Sequence, residues 1–315
     1  MILNYGVTRM NSTGENTGTG GRQSGARMVD AATNPVPSRR SPLTVTETTI
    51  LLLGLKMTIA ATIVVTASLI AERSRPFIAA MVATLPVSAG PAFAFLALDH
   101  DPDFMRLTMI GAMVTNIATA AYSLAYVVAA REMRTAPALL AAFLAWGLCG
   151  IALRQIGWSL PGAFAASLAA FAVAIPLARR FASNERVSAP PRAWYAIPLR
   201  ALAVATLVGL VTTMSWMLGP YNSGMLVAFP IVLSSIIVIL QPRIGGKQTS
   251  AMIANGLVGL LGLGLALGIS AWMTPVVGSF PALGLGLAIC LIWNGAIVVW
   301  RLVRPQFSSS RPRSL

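Results

Sequence analysis

The sequence has little charge and few of the residues that build compact metal or disulfide centres. Only 10% of its 315 residues are charged, against about 25% in average soluble domains. One His and two Cys are too few for a disulfide framework or a structural zinc site. With 56% hydrophobic residues and a mean hydropathy of +0.74, the chain is neither an ordinary soluble protein nor a disordered one.

Acidic residues are also scarce: nine Asp and Glu stand against 23 Lys and Arg, a formal net charge of +14. Such a balance is typical of nucleic-acid-binding proteins when the basic residues cover one face of a soluble domain. Here they stand at the ends of long apolar runs, where Lys and Arg orient membrane helices. We therefore expect the partner of the chain to be the lipid bilayer and not nucleic acid.

Apolar runs long enough to cross a membrane fill most of the chain. A bilayer core of about 30 Å needs about 20 apolar residues of helix. The pattern predicts an all-α, polytopic membrane helix bundle of about nine transmembrane helices. The predicted spans are 48–71, 76–98, 104–130, 135–154, 159–178, 196–218, 222–241, 248–272 and 279–303.

The segments outside these spans are polar. Residues 1–47 are rich in Ser, Thr, Gly and Asn without an apolar run, so we expect a disordered tail and not a signal peptide. Either Met1 or Met28 fits as its start. Residues 179–195 form a basic linker, and residues 304–315 form a second disordered tail.

The two halves of the membrane region resemble each other. Lys56, Pro76 and Pro86 are spaced by 20 and 10 residues, and Arg200, Pro220 and Pro230 repeat this spacing 144 residues later. This register predicts a duplication with repeats at 48–158 and 196–303. The extra helix 159–178 makes the first half five crossings long, so the second copy is inverted, as in many secondary transporters.

This topology places most Lys and Arg residues on one side of the membrane, which the positive-inside rule makes cytoplasmic. We expect a bacterial-type inner membrane, a cytoplasmic C-terminus and linker, and an N-terminus outside. The acidic loop Asp99–Asp103 then falls outside, in agreement with the rule. If the two proline-containing segments re-entered instead of spanning, the charge bias would almost vanish.

Two segments carry proline where a continuous helix would cross the bilayer. Proline breaks a helix, and in lipid the freed carbonyls survive only where protein or a water-lined cavity covers them. The polar groups beside these breaks are candidates for solute binding. They are Pro86, Ser88 and Gly90 in the first copy, and Asn222, Pro230, Ser234 and Ser235 in the second. For the run Gly219–Gly224 we favour a plain turn with capping residues.

Lys56 and its counterpart Arg200 are cations that lie within predicted spans, near opposite faces of the membrane. A pair of cationic gates for an anion is one interpretation, and snorkelling to the interface is the other. Snorkelling suits Arg200, which follows Trp194 and Tyr195, better than it suits the deeper Lys56. We interpret the amides of Asn116, Asn255 and Asn294 as bonds between helices.

The sequence offers no catalytic set. No Asp or Glu lies deep in a span, which disfavours proton coupling through a buried carboxylate. The acids of Asp99–Asp103 with His100 could hold a divalent metal, but a solvated turn is the commoner use of such a loop. We expect no cofactor, no metal and no enzyme activity. An enzyme acting on lipid would need this loop to face a groove with Arg106 or Arg154.

The repeat unit resembles a known family. One helix begins Leu55-Lys56 or Leu199-Arg200, the next carries Leu85-Pro86 or Phe229-Pro230, and a Gly- and Ala-rich helix and a short final helix follow. This resembles the GlpM-like small inner-membrane proteins, which are single four-helix units. The resemblance implies an inner-membrane bundle, here duplicated and fused. The second copy is also similar to the membrane half of fusaric-acid-resistance exporters, through Leu199–Ala203 and Leu240-Gln241-Pro242.

Together these features predict a small-solute transporter that works by movement of inverted repeats. An organic anion is the expected solute class, because the candidate charged residues, Lys56 and Arg200, are cations. The alternative is a non-transporting membrane subunit or envelope-assembly protein. Substrate, coupling ion, direction and oligomeric state do not follow from the sequence.

Overall fold

The computed structural model describes residues 45–73, 89–181 and 194–303. Within these ranges the chain forms nine α-helices and no strand, which confirms the all-α bundle. The helices are α1 (Val45–Arg73), α2 (Ala89–Asp99), α3 (Pro102–Ala129), α4 (Thr135–Arg154), α5 (Leu160–Arg179), α6 (Ala196–Val227), α7 (Ile231–Ile244), α8 (Gly246–Val277) and α9 (Ser279–Val303).

Helices and predicted spans do not correspond one to one. Seven described helical stretches are long and apolar enough to cross a membrane, and one of them, Ala196–Ile244, holds two predicted spans. Of the predicted second span, the structure describes α2, which has 11 residues and is too short to cross alone. The rest of that predicted span lies outside the described residues. So do the tail before Val45, the linker residues 182–193 and the tail 304–315. Helix α1 begins inside the predicted disordered tail 1–47.

Three glycines make the sharp turns of the second half. Gly219, Gly245 and Gly278 have φ between 74° and 85°, a region that residues with a Cβ avoid. Gly245 and Gly278 separate successive helices, and Gly219 divides α6 into 196–218 and 220–227. The predicted turn Gly219–Gly224 is thus wrong in extent. Asn222 and Ser223 are helical and bond to the carbonyls of Leu218 and Gly219, so the turn needs one residue.

Helix α3 is the most buried of the described spans and forms the centre of the bundle. It packs against α4, α5, α6 and α8. Asp101 caps its beginning by accepting a hydrogen bond from the backbone of Phe104 at 2.8 Å, and Pro102 follows as the first helical residue. Met105, Met109 and Met113 recur every fourth residue and are fully buried, so one face of α3 is a continuous apolar contact.

Helices α3 and α8 run antiparallel along their whole length. Thr274 Oγ1 lies 3.6 Å from Met109 Sδ, and Asn116 donates to the Leu260 carbonyl at 2.8 Å. At the far end Gly246 lies against the Ala130 carbonyl, where a Cβ would overlap the oxygen. We call the end with the Asp99–Asp103 loop the acidic end, and the end with Ala130–Arg134 and Gly245–Lys247 the basic end. Asn116 bonds between helices, while Asn294 bonds to Cys290 within its own helix.

The packing has the correspondence that a duplication requires. Helices α3 and α8 begin 144 residues apart, and so do α4 and α9. Helix α4 packs on α3 as α9 packs on α8, α5 contacts both α3 and α8, and α2 contacts α9 as α7 contacts α4. The contacts agree with an inverted repeat around α5. The repeat boundaries themselves stay a prediction.

Candidate functional site

The predicted seventh span is interrupted near its middle. Helix α6 ends at Val227 and α7 begins at Ile231, with Pro230 buried between them at φ −76° and ψ 47°. Pro230 has no N–H, so the Leu226 carbonyl loses its helical donor and accepts from the Phe229 N–H at 3.2 Å instead. The interruption leaves backbone carbonyls without a regular helical partner inside an apolar bundle.

Hydroxyl groups lie next to this interruption. Ser234 Oγ donates to the Pro230 carbonyl at 2.7 Å and lies 2.9 Å from Tyr122 Oη. Ser235 is buried, and its Oγ donates to the Val232 carbonyl at 2.8 Å. Helix α7 therefore places one serine toward α3 and bonds the other to its own first turn.

Aromatic rings cover the other side of the break. Phe229 stacks on Phe143 with ring centroids 5.6 Å apart and meets Trp146 edge-on at 5.2 Å. Tyr122 meets Phe143 edge-on at 5.3 Å. Trp146 Nε1 is buried, and it has no hydrogen-bond partner among the described residues. An unmet indole donor thus lies in the aromatic cluster beside the interrupted helix.

The described part of the first proline-containing segment reaches the same core. Ala89, at the beginning of α2, packs against the same cluster of buried side chains as Ala228 and Phe229. Gly90 is the next residue, half-buried on α2. Pro86 and Ser88 lie outside the described residues.

An ion pair that the sequence analysis did not predict joins α1 to α2 near the acidic end. Lys56 Nζ lies 2.7 Å from Asp99 Oδ1 and 2.5 Å from Oδ2, with side chains 21% and 23% exposed. Phe95 lies below the ammonium group, 6.0 Å from ring centroid to nitrogen. Both residues were predicted on the same side of the membrane, but spacing in the sequence gives no distance between separate helices.

His100 extends this polar cluster to α6. Its Nε2 lies 2.9 Å from Ser215 Oγ, and its ring stacks on Phe104 at 3.7 Å and leans on Trp216 at 4.2 Å. Burial lowers the pKa of His100, and Lys56 adds to this, while the carboxylates of Asp99 and Asp101 oppose it.

The predicted pair of cationic positions is not brought together. Lys56 lies beside Asp99, whereas Arg200 lies one turn into α6, about 22 Å of helix before Ser215. Asn222, predicted to bind solute, bonds to Leu218 across the Gly219 turn. Of the predicted residues, Pro230, Ser234 and Ser235 form one local group.

A second polar connection, also not foreseen, lies nearer the basic end. Tyr126 Oη donates to Gln241 Oε1 at 3.0 Å, and Gln241 Nε2 donates to the Met133 carbonyl at 3.1 Å. Tyr122 and Tyr126 are four residues apart on α3, which places both hydroxyls on the face toward α7. The four-residue spacing of the two tyrosines is the one feature of the sequence that could have indicated their contacts with α7.

Seven long apolar stretches, one of them the buried central helix α3, define an integral, multi-pass membrane protein. Within that class, residues 55–160 match the GlpM protein family, a family of membrane proteins. The match spans nearly all of the first predicted repeat and confirms the resemblance seen there. No curated protein and no solved structure matched the chain.

Proposed function

We propose that the chain is a small-solute transporter whose binding site lies at the interruption between α6 and α7. The observation that carries this proposal is the break at Ala228–Pro230 inside a membrane span. Interrupted helices near the midplane, with free carbonyls and helix ends, are how transporters bind solutes with few charges. The Trp146 indole, buried and unpartnered in the described structure, is a further donor at this place.

An organic anion is the solute class that the site favours. The side chains described around the break offer the unpartnered Trp146 indole donor and aromatic faces, and the contacts there include no carboxylate. A proton-coupled carboxylate mechanism and enzyme catalysis both lack a candidate group at this place. Helices that can move against each other across α5 would expose the break alternately, in keeping with an inverted repeat.

We further propose that the basic end faces the cytoplasm of a bacterial-type inner membrane and that the N-terminus is outside. The support is the charge distribution, because the turns at Ala130–Arg134 and Gly245–Lys247 carry Arg and Lys while the Asp99–Asp103 loop carries three acids.

Cysteine accessibility tests the transport proposal. Cys149 and Cys290 are first replaced by Ala, and Ser235→Cys is introduced as a reporter beside the break. A membrane-impermeant thiol reagent is then applied from each side of the membrane. A water-filled path requires labelling from at least one side, with a rate that changes with solute or pH.

Two further variants make the result interpretable. Ser123→Cys on α3 is a matched buried control, because Ser123 is fully buried and bonds only within its own helix. Gln155→Cys in the exposed α4–α5 turn is the reactive control. If Ser235→Cys and Ser123→Cys both stay unlabelled while Gln155→Cys reacts, the transport proposal is wrong.

An unlabelled Ser235→Cys beside a reactive Gln155→Cys would support the alternative function, a non-transporting membrane subunit. One observation favours this alternative. The hydroxyls of Tyr122, Ser234 and Ser235 all have partners within the protein. The Gln241 amide is also bonded at both its oxygen and its nitrogen. A midplane that satisfies its own polar groups in this way can be a packed core.

A further inference from the structure

We propose that the basic end binds the headgroup of an anionic phospholipid, with its acyl chains along the outer face of α4. This inference does not depend on the transport proposal. The surface concerned, which we call the basic patch, is made by exposed cations at the α3–α4 turn, at the end of α5 and at the α7–α8 turn. These cations are Arg131, Arg134, Arg179, Arg180, Arg243 and Lys247.

Specific contacts hold the three elements together. Gln241 on α7 donates to the Met133 carbonyl in the α3–α4 turn at 3.1 Å. Gly246, which begins α8, lies against the Ala130 carbonyl of the same turn. On the other side, the Arg131 guanidinium lies over the Phe181 ring at 5.3 Å, just after the end of α5. The cations are therefore gathered by structure and not merely by sequence.

The positive charge of the basic patch is poorly neutralised within the described chain. Glu132 is the one acid in these turns. No ion pair with a described carboxylate is formed by five of the cations, namely Arg131, Arg134, Arg179, Arg180 and Lys247. Exposed like charges held close together repel each other, so an anion that binds between them stabilises the fold.

The position of the basic patch selects a lipid over a free anion. Trp194, 87% exposed, and Tyr195 precede α6 at the same end, where aromatic residues mark the membrane–water interface. A row of exposed apolar side chains runs along α4, which starts next to Arg134. The row is Leu140, Leu144, Leu148 and Ile151, each at least 57% exposed. A headgroup at Arg131 and Arg134 would place its acyl chains along this row.

The test is lipid retention by the full chain purified in detergent, measured by native mass spectrometry with equal amounts of phosphatidylglycerol and phosphatidylcholine. We expect preferential retention of phosphatidylglycerol. Each removed cation should weaken retention about fivefold, so Arg134→Gln should weaken it about fivefold and Arg131→Gln/Arg134→Gln roughly 25-fold. High salt should weaken it as well.

The matched control is Arg154→Gln, which removes an exposed arginine from the other end of α4. It should leave retention unchanged, and both Arg134→Gln and Arg154→Gln should keep the wild-type unfolding temperature in phosphatidylcholine. Equal retention of the two lipids, or equal losses in Arg134→Gln and Arg154→Gln, would overturn the proposal. Displacement of the lipid by inorganic phosphate at equal concentration would identify a free-phosphate site and overturn it too.

Discussion

The two ends of the bundle are equivalent positions of the predicted repeats, yet their chemistry is opposite. At the register of 144 residues, Lys56 corresponds to Arg200 and Asp99 to Arg243. The first repeat therefore has an ion pair between α1 and α2, 2.5 Å at its shortest distance. The second repeat has two cations at the corresponding places, and two cations cannot pair with each other.

This difference shows that two repeats with corresponding helix packing can have ends of opposite charge. The helix packing of the two repeats corresponds, but the acidic end is joined by side-chain charges and the basic end by backbone contacts and an amide. Under the transport proposal, a scaffold with these ends has no energetic reason to favour its two inverted states equally. The difference in net charge between its ends is also the basis of the membrane orientation proposed above.

The largest effect is expected from breaking the basic end at Gly246. In Gly246→Ala the added Cβ would overlap the Ala130 carbonyl, a backbone atom that cannot move without distorting the end of α3. The unfolding free energy should fall by about 2 kcal/mol, the strain of overpacking less the helix preference of Ala. Thermal unfolding in detergent, followed by circular dichroism, measures it.

Gly256 provides the matched control on the same helix. A Cβ there would meet no atom within 4 Å, so Gly256→Ala should be neutral or stabilising by up to about 1 kcal/mol. Similar unfolding temperatures for Gly246→Ala and Gly256→Ala would show that the contact between Gly246 and the Ala130 carbonyl does not stabilise the basic end.

A smaller effect is expected at the acidic end from Asp99→Asn. The change removes the partner of a largely buried Lys56 ammonium and should lower the unfolding free energy by about 1–3 kcal/mol. Adding Lys56→Met should recover part of the loss, since no unpaired charge then remains. Asp103→Asn, an exposed carboxylate in the same loop, should change stability by about 0.5 kcal/mol. Additive effects of the Asp99 and Lys56 changes would disprove coupling.

Part of this architecture follows from local sequence rules. The long apolar runs predicted the spans, and Pro230 predicted the interruption, because each feature acts within a few residues of chain. Pro86 falls outside the described residues, so its effect stays a prediction. The Gly219 turn was predicted too long because the helical bonds of Asn222 and Ser223 to the preceding carbonyls were not foreseen.

The contacts between helices could not be predicted in the same way. In a membrane the outer face of a helix is as apolar as its inner face, so hydrophobic periodicity does not identify which side meets a neighbour. For this reason the sequence pattern did not indicate the contacts of Trp146 and Gln241, whose positions follow from packing alone. The separation of Lys56 and Asp99 along the chain hid their pairing.

The smallest effect is expected from pH at the acidic end. Burial lowers the pKa of His100 below its ordinary value of 6.5, so the folded chain binds this proton less readily than the unfolded chain. Stability should therefore fall as the pH drops below the unfolded pKa, and the loss levels off below the folded pKa. The unfolding temperature should decrease between pH 7.5 and pH 5.

His100→Gln isolates this contribution, because Gln can still bond to Ser215 Oγ but does not titrate in that range. Its unfolding temperature should vary less with pH than that of the wild type, and the two should differ most at pH 5. An identical slope in both proteins would assign the pH dependence elsewhere. Since the basic end has no histidine, a slope that vanishes in His100→Gln would also place the pH response of the bundle at one end only.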